Sequence, residues 1–321
     1  MIEKVKHIKC IKLSVPGKLV IAGEHAVMHG YSSISMAINQ KMFVKIQPIF
    51  GGKKVNIKSN VFGKTEFYNG EIMQDWSNSI SFLVKELSKY GLKITIKSKI
   101  KNYGFGSSGA LFICIAFGLL KINNIENEKD NLNDEEYFYK IMELYKKYHL
   151  QHRNDNFIPS GVDIATSFFG GLIYFSPNNC LIEKLNNNSF AKNITAIYTG
   201  HKTSTTEVVS AINKAKNADV VYEKIGNLVN KLKMALKNNN NEDVNILLQQ
   251  NQLLLKELNI VDSNIEDILN QCNKQQIVAK ISGSGLGDCV IAFKKNVKVK
   301  DHKSINVKSD NNGLTYKMCY Q

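Results

Sequence analysis

Arginine occurs once in the 321 residues, at Arg153, although the formal net charge is +14. Lysine carries the positive charge and is spread along the whole chain. Arginine is the residue suited to bidentate contacts with phosphates and base edges, so its scarcity argues against specific nucleic-acid reading, and no nucleic-acid partner is expected. What remains is a solvated lysine-rich surface, compatible with attraction of small anionic substrates. No apolar stretch reaches the roughly 18 residues that span a bilayer, so no membrane partner is expected either. The N-terminal MIEKVKHIKCIKL has no unbroken hydrophobic segment and no small-residue cleavage site, so no signal peptide is expected. The six cysteines (10, 114, 180, 272, 289 and 319) contain no C-x-x-C pair. Reduced thiols in a cytoplasmic protein are expected, with neither zinc nor disulfides. The chain has no internal repeat, and the G-x-x-x-x-G-K-[ST] phosphate loop is absent, which excludes a Walker-type enzyme.

What is present is ordinary globular composition, 43% apolar and 22% charged, in a chain long enough for two lobes. Its most informative stretch is GFGSSG at 104–109. Before it, Ile94, Ile96 and Ile100 alternate as in a strand. After it, 110–122 is apolar on every side and long enough for three helical turns. A glycine-rich turn that opens a buried helix aims several backbone N–H groups and the positive end of the helix dipole at one spot. Glycine suits that place because a Cβ would block the approach of an anion. The structural alternative is a tight turn with serine N-caps.

Two further glycine turns bear on that choice. SVPGKLVIAGEHAVMHGYSSISMAI at 14–38 sets Lys18 beside an apolar run and continues with Glu24 and His25. KISGSGLGDCVIAF at 280–293 spaces Gly283, Gly285 and Gly287 between two strand-like runs, with Ser284 among them. Three such turns with adjacent Lys, Glu, His, Ser and Asp suggest one site assembled from distant segments. A fourth segment, PSGVDIATSFFGG at 159–171, supplies Asp163 just ahead of a helical stretch. A carboxylate there can accept a proton from a substrate hydroxyl, and Lys18 can neutralise charge developing on a phosphoryl group. Phosphoryl transfer needs mainly positioning and positive charge. The bland readings are an N-cap for Asp163 and a surface charge for Lys18.

Strands are expected at about 8–14, 19–22, 41–49, 53–58, 65–68 and 92–98, with helices near 76–90, 107–121 and 135–149 and an exposed loop at 123–134. A strand at 170–175 closes the first part. The second part has a strand at 194–199, helices at 205–217, 219–238, 242–258 and 263–273, then strands at 276–282, 288–294, 304–308 and 314–320. Helices in runs, not alternating with strands, favour α+β over a doubly wound sheet. The expected division is 1–176, an ATP-binding lobe, and 177–321, a lobe completing the substrate site.

PGKLVIAGEHAVMHG, GFGSSGA and ISGSGLGDC, in this order, resemble the three motifs of the GHMP kinases, and the resemblance covers most of the chain. It implies a two-lobed α+β fold with an N-terminal ribosomal-protein-S5-like lobe and a C-terminal ferredoxin-like lobe. It implies that Gly104, Gly106, Ser107, Ser108 and Gly109 wrap the ATP phosphates, with Ser108 helping to hold Mg²⁺. By the same resemblance Lys18 and Asp163 are the catalytic pair, and Glu24, His25, Thr205, Gly283, Ser284 and Gly285 lie on the substrate side. GEHAVMHG and PSGVD with a following GG most resemble the members that phosphorylate mevalonate, a small hydroxylated acid. TGHKTSTTEVV at 199–209 resembles their substrate-side segment. The expected partners are thus ATP and that acid, with a homodimer left open.

The chain also departs from the family pattern. Ile100 and Asn102 replace the usual Pro-x-Gly, which with GDC is closer to phosphomevalonate kinases. His152 stands where mevalonate kinases carry a second Mg²⁺ ligand, leaving Glu143 or Asp155 as substitutes. Two readings compete with this one. GFGSSG also satisfies the G-x-G-x-x-G dinucleotide fingerprint, with Glu126, Glu128 and Asp130 downstream, but those acids sit in a polar loop and not at the end of a second strand. A non-catalytic ATP-binding regulator on the same scaffold is opposed by the presence of both Lys18 and Asp163.

Overall fold

A computed structural model describes residues 8–61, 63–68, 78–126, 132–152, 159–185 and 190–320. Its first sheet has eight strands. The path β12-β1-β2-β5-β3-β4 (Thr315–Tyr320, Ile8–Ala22, Ser33–Ile49, Gly91–Ser98, Lys54–Ser59, Gly63–Tyr68) carries β6 (Leu172–Ser176) and β7 (Leu181–Lys184) on a branch. The branch exists because β2 is long enough for two partners on one edge. Met42–Ile49 pairs with β5 and Ser33–Met36 with β6, both antiparallel. Among the described residues of this sheet, only β3 and β5 run parallel.

β1 is one continuous strand of 15 residues where two short ones were expected. Its pairing with β2 shifts register between Pro16 and Gly17, as at a bulge. Ile11, Leu13 and Val15, before the shift, belong to one core; Leu19 and Ile21, after it, belong to another. The first core lies between this sheet and four helices, α1 (Asn78–Leu87), α2 (Ser107–Glu126), α3 (Asp134–His152) and α4 (Val162–Phe169). α2 is long and apolar enough to cross a membrane by composition, yet 72% of its apolar window is buried in the protein. It packs against β1, β2, α1, α3 and α4, so it is a core helix. Such a helix, apolar on every side, has no preferred face to expose.

The second core joins four helices, α5 (Thr205–Ile212), α6 (Ala218–Lys237), α7 (Asn241–Glu257) and α8 (Ser263–Lys274), to a four-stranded antiparallel sheet. That sheet has the order β11-β8-β10-β9 (Ser304–Val307, Ile194–Tyr198, Cys289–Ala292, Ala279–Ser282). Numbered within the sheet the order is 4-1-3-2, that of a ferredoxin-like layer with all four helices in its first crossover. The architecture is α+β, as expected.

Some expected boundaries move. The loop at 123–134 is helical through Glu126, because Ile122 and Ile125 continue the apolar spacing of α2. Neither the first half of β2 nor β7 was expected, and Asp163 lies within the first turn of α4, not ahead of it. The division at residue 176 also needs correction. β7 and β12, both beyond it, belong to the first sheet, and β12 covers the edge of β1 that would otherwise stand open.

Phe117 ties that returning strand down. It is 1% exposed, with its ring 5.0 Å from Tyr316 of β12 and 4.8 Å from Tyr137 of α3. Phe117→Ala is expected to cost about 3–5 kcal/mol, the usual range for an aromatic core truncation. Urea unfolding should show the midpoint falling with little change in slope; a loss below about 1 kcal/mol would remove Phe117 from the anchor.

Candidate active site

The candidate site forms where the bulge in β1 meets the glycine loop before α2. Gly17 is required there because a Cβ would lie 2.6 Å from the Phe105 carbonyl oxygen. With that contact the Lys18 N–H donates to the same carbonyl at 2.9 Å, and Lys18 Nζ reaches the Gly104 carbonyl at 3.4 Å. Gly104 and Gly106 have φ of 77° and 73°, the left-handed region that favours glycine. A Cβ on Gly106 would press on the Lys18 side chain at 3.1 Å. The first helical bond of α2 is donated by Ala110 to the Gly106 carbonyl, so the amides of Ser107, Ser108 and Gly109 stand ahead of the intrahelical ladder as an anion-binding end.

Asp163 enters from the other side. α4 begins after Gly161, at φ 81°, with no side-chain cap, so the N-cap reading of Asp163 does not hold. Its carboxylate comes so close to α2 that a Cβ on Gly109 would lie 2.6 Å from Oδ2. Tyr145, on α3, donates its hydroxyl to that oxygen at 3.0 Å. Lys18, Gly104, Gly106, Ser107, Ser108, Gly109, Asp163 and Ser284 all line one cleft of about 390 Å³. Sequence reasoning did not assign Tyr145, nor Lys101, Asn102 and Ser160, which also line the cleft. No local pattern marks a tyrosine 18 residues before the aspartate it touches.

The third glycine turn closes the cleft through its neighbours. Asp288 N–H donates to the His201 carbonyl, and Thr203 Oγ1 bonds the Leu286 carbonyl. These bonds dock 199–203 on the turn and bring Lys202 to the rim. Among the described substrate-side residues, only Ser284 lines the cleft. Gly285 packs under Ile260, and Gly283 supplies a φ of 104° to the turn. Thr205 opens α5, and its side chain lies outside the described residues.

Glu24 does not line the cleft: it is 3% exposed and pairs with Lys280, itself 0% exposed, at the junction between β1 and β9. Burial pushes the Glu24 carboxyl up and the Lys280 ammonium down, with their mutual attraction opposing both shifts. His25 donates Nε2–H to the Ser284 carbonyl at 2.8 Å, and burial lowers its pKa, which favours the neutral ring. It holds the third turn from behind. His152 packs its ring on Tyr148 and Phe82, and Glu143 is on the exposed side of α3, outside the cleft lining. Asp155, Arg153, Glu128 and Asp130 lie outside the described residues.

Residues 232–302 match the family model described as GHMP kinases C terminal. The chain is 27% identical over 318 residues to a mevalonate kinase of Saccharolobus solfataricus, covering 95% of this chain and 96% of that one. The crystal structure of the Methanococcus jannaschii mevalonate kinase superposes with a TM-score of 0.73 at 26% identity, covering 94% of this chain and 98% of that one. Lactococcus lactis galactokinase, crystallised with galactose, shares the fold at a TM-score of 0.79 and 16% identity, covering 96% of this chain and 95% of that one.

Lys280→Met should strand the Glu24 charge, at a cost of about 3–5 kcal/mol. Without its cation the Glu24 carboxyl titrates still higher in the folded state than in the unfolded chain. Stability is then full below the unfolded pKa and lost as pH rises through the folded one. The variant should therefore fall further behind the wild type at pH 8 than at pH 5. Equal deficits at the two pH values, measured by denaturant unfolding, would contradict the pairing.

Proposed function

On the premise of a GHMP-kinase C-terminal domain set in that family's two-lobed fold, we propose that this protein is an ATP-dependent kinase. The reading is transfer of the γ-phosphoryl group of ATP to the hydroxyl of mevalonate. The observation that carries it is the convergence of Lys18, the free amides of 107–109 and Asp163 on one cleft. The choice of acceptor is supported by similarity to mevalonate kinases along almost the whole chain.

Each residue then has one task. The left-handed loop at Gly104 and Gly106 and the amides of Ser107, Ser108 and Gly109 bind the phosphate chain. The Lys18 ammonium, held on the rigid strand β1, faces the charge that spreads over the γ-phosphoryl oxygens in the transition state. Asp163 accepts the proton of the acceptor hydroxyl as its oxygen forms the new P–O bond and ADP leaves.

The residues fit a magnesium ion that takes most of its ligands from phosphate and water. Ser108 offers a hydroxyl at the exposed start of α2, and among the described residues no cluster of three or more His, Cys, Asp or Glu side chains forms a separate metal cage. Bound Mg²⁺ would neutralise charge on the phosphates. A cytoplasmic setting, where ATP and reduced thiols coexist, is part of this reading.

An ADP-release assay at saturating Mg-ATP tests the acceptor. kcat/KM for mevalonate should exceed that for phosphomevalonate by at least about tenfold, or ~1.4 kcal/mol of transition-state preference. The reverse order would reassign the protein to the phosphomevalonate branch. For the mechanism, Asp163→Asn keeps the shape and removes the base, so kcat should fall by roughly 10²–10⁴ while ATP still binds. Retention of more than about a third of kcat would remove Asp163 from the reaction.

A further inference from the structure

Helix geometry alone does not fix which oxygen of Asp163 meets the acceptor. The aspartate sits in the first turn of α4, where its side chain could rotate toward the cleft or toward α2. Two contacts decide the matter, and both fall on Oδ2. The backbone of α2 at Gly109 comes so near that no Cβ would fit, and the Tyr145 hydroxyl donates to the same oxygen at 3.0 Å. Tyr145 is itself held in place. Its ring stands edge-on to Phe112, with centroids 5.0 Å apart, and to His149 at 4.6 Å. Phe112 is 2% exposed and lies one turn beyond Ser108 on the helix that opens the phosphate loop. The tyrosine therefore connects the carboxylate on α4, through α3, to the helix that carries the phosphate-binding amides.

We propose that Tyr145 is a positioning residue for phosphoryl transfer: by engaging Oδ2 it turns Oδ1 of Asp163 toward the acceptor hydroxyl, in register with the phosphate loop. This rests on the reading that Asp163 receives the hydroxyl proton. The hydrogen bond from Tyr145 is directed and charge-assisted. Losing it frees the carboxylate to rotate, and a misaligned base loses much of the advantage of orientation. ATP binding does not pass through this contact, so the effect belongs in kcat and not in the KM for ATP.

The test is a double-mutant cycle of Tyr145→Phe and Asp163→Asn, with transfer of radiolabelled phosphate measured down to about 10⁻⁴ of wild-type turnover. Phenylalanine keeps the ring contacts with Phe112 and His149. Rates are expressed per molecule competent to bind ATP, counted by calorimetric titration, so that misfolded protein does not enter the comparison. Tyr145→Phe should lower kcat on the order of tenfold, with the KM for ATP within twofold of wild type. In the Asp163→Asn background the same change should lower kcat less than twofold, because the base it positions is gone. A single variant within twofold of wild-type kcat overturns the inference. So does a full tenfold loss repeated in the Asp163→Asn background, which would make Tyr145 independent of the aspartate. Failure of the underlying reading looks different: Asp163→Asn alone would then stay active.

Discussion

The contact between Gly17 and the Phe105 carbonyl governs the geometry of the site. It can form only because residue 17 lacks a Cβ, and it is sealed by the Lys18 N–H bond to the same oxygen. A backbone bond places a lysine more precisely than a side-chain contact, since it leaves only the rotatable stem to be ordered. That stem is covered in turn by Gly106, against which it packs. Two glycines on different segments thus confine one lysine between a strand and a phosphate loop. The bulge that accompanies Gly17 interrupts β1 where the strand passes from the first core to the second. A strand buried at both ends is rigid, and it holds Lys18 in a fixed place beside the glycine loop.

The two lobes meet through polar bonds that water does not reach. Val20 N–H donates to Ser282 Oγ at 3.0 Å, and Glu24 and Lys280 pair with almost no exposure. Replacing such a pair with apolar residues is often neutral, whereas removing one partner is costly. Its use here is directional, because one partner follows β1 and the other begins the strand that leads into the third glycine turn. His25 adds a neutral hydrogen bond to the same turn at Ser284. The acid–imidazole pair beside Lys18 therefore fixes the wall of the cleft.

The glycine turn before α2 was legible in the sequence because its requirements are local. Left-handed backbone at Gly104 and Gly106, an apolar helix directly after, and serines at its start are all encoded within about twenty residues. That Asp163 and Lys18 share one cleft was suggested only by the company they keep. The pairing of Glu24 was not legible, because its partner Lys280 lies 256 residues away. Nothing within the segment distinguishes a carboxylate facing a ligand from one facing a buried ammonium. The strand at 314–320 was expected, but its return to the first sheet and the branch of β2 were not, for a related reason. Strand pairing is a long-range property, and short runs such as Leu181–Lys184, exposed or half-buried throughout, carry little periodic signal.

The burial of Glu24 bears on how the cleft treats its acceptor. With that carboxylate paired to Lys280 and outside the cleft lining, Asp163 faces a surround of Lys18, Lys101 and Lys202. A triphosphate satisfies much of that positive field, so discrimination between acceptors cannot rest on repulsion from an acid at residue 24. It must come from which cations remain uncommitted. Lys18 is bound into the loop by its own backbone, and Lys202 stands 4.0 Å from Asp288. An acceptor with one carboxylate and a neutral hydroxyl places a smaller demand on that field than one carrying a further phosphate of −1.5 to −2. The charge around the cleft thus suits an anionic acceptor, and the choice of mevalonate rests on the similarity to its kinases.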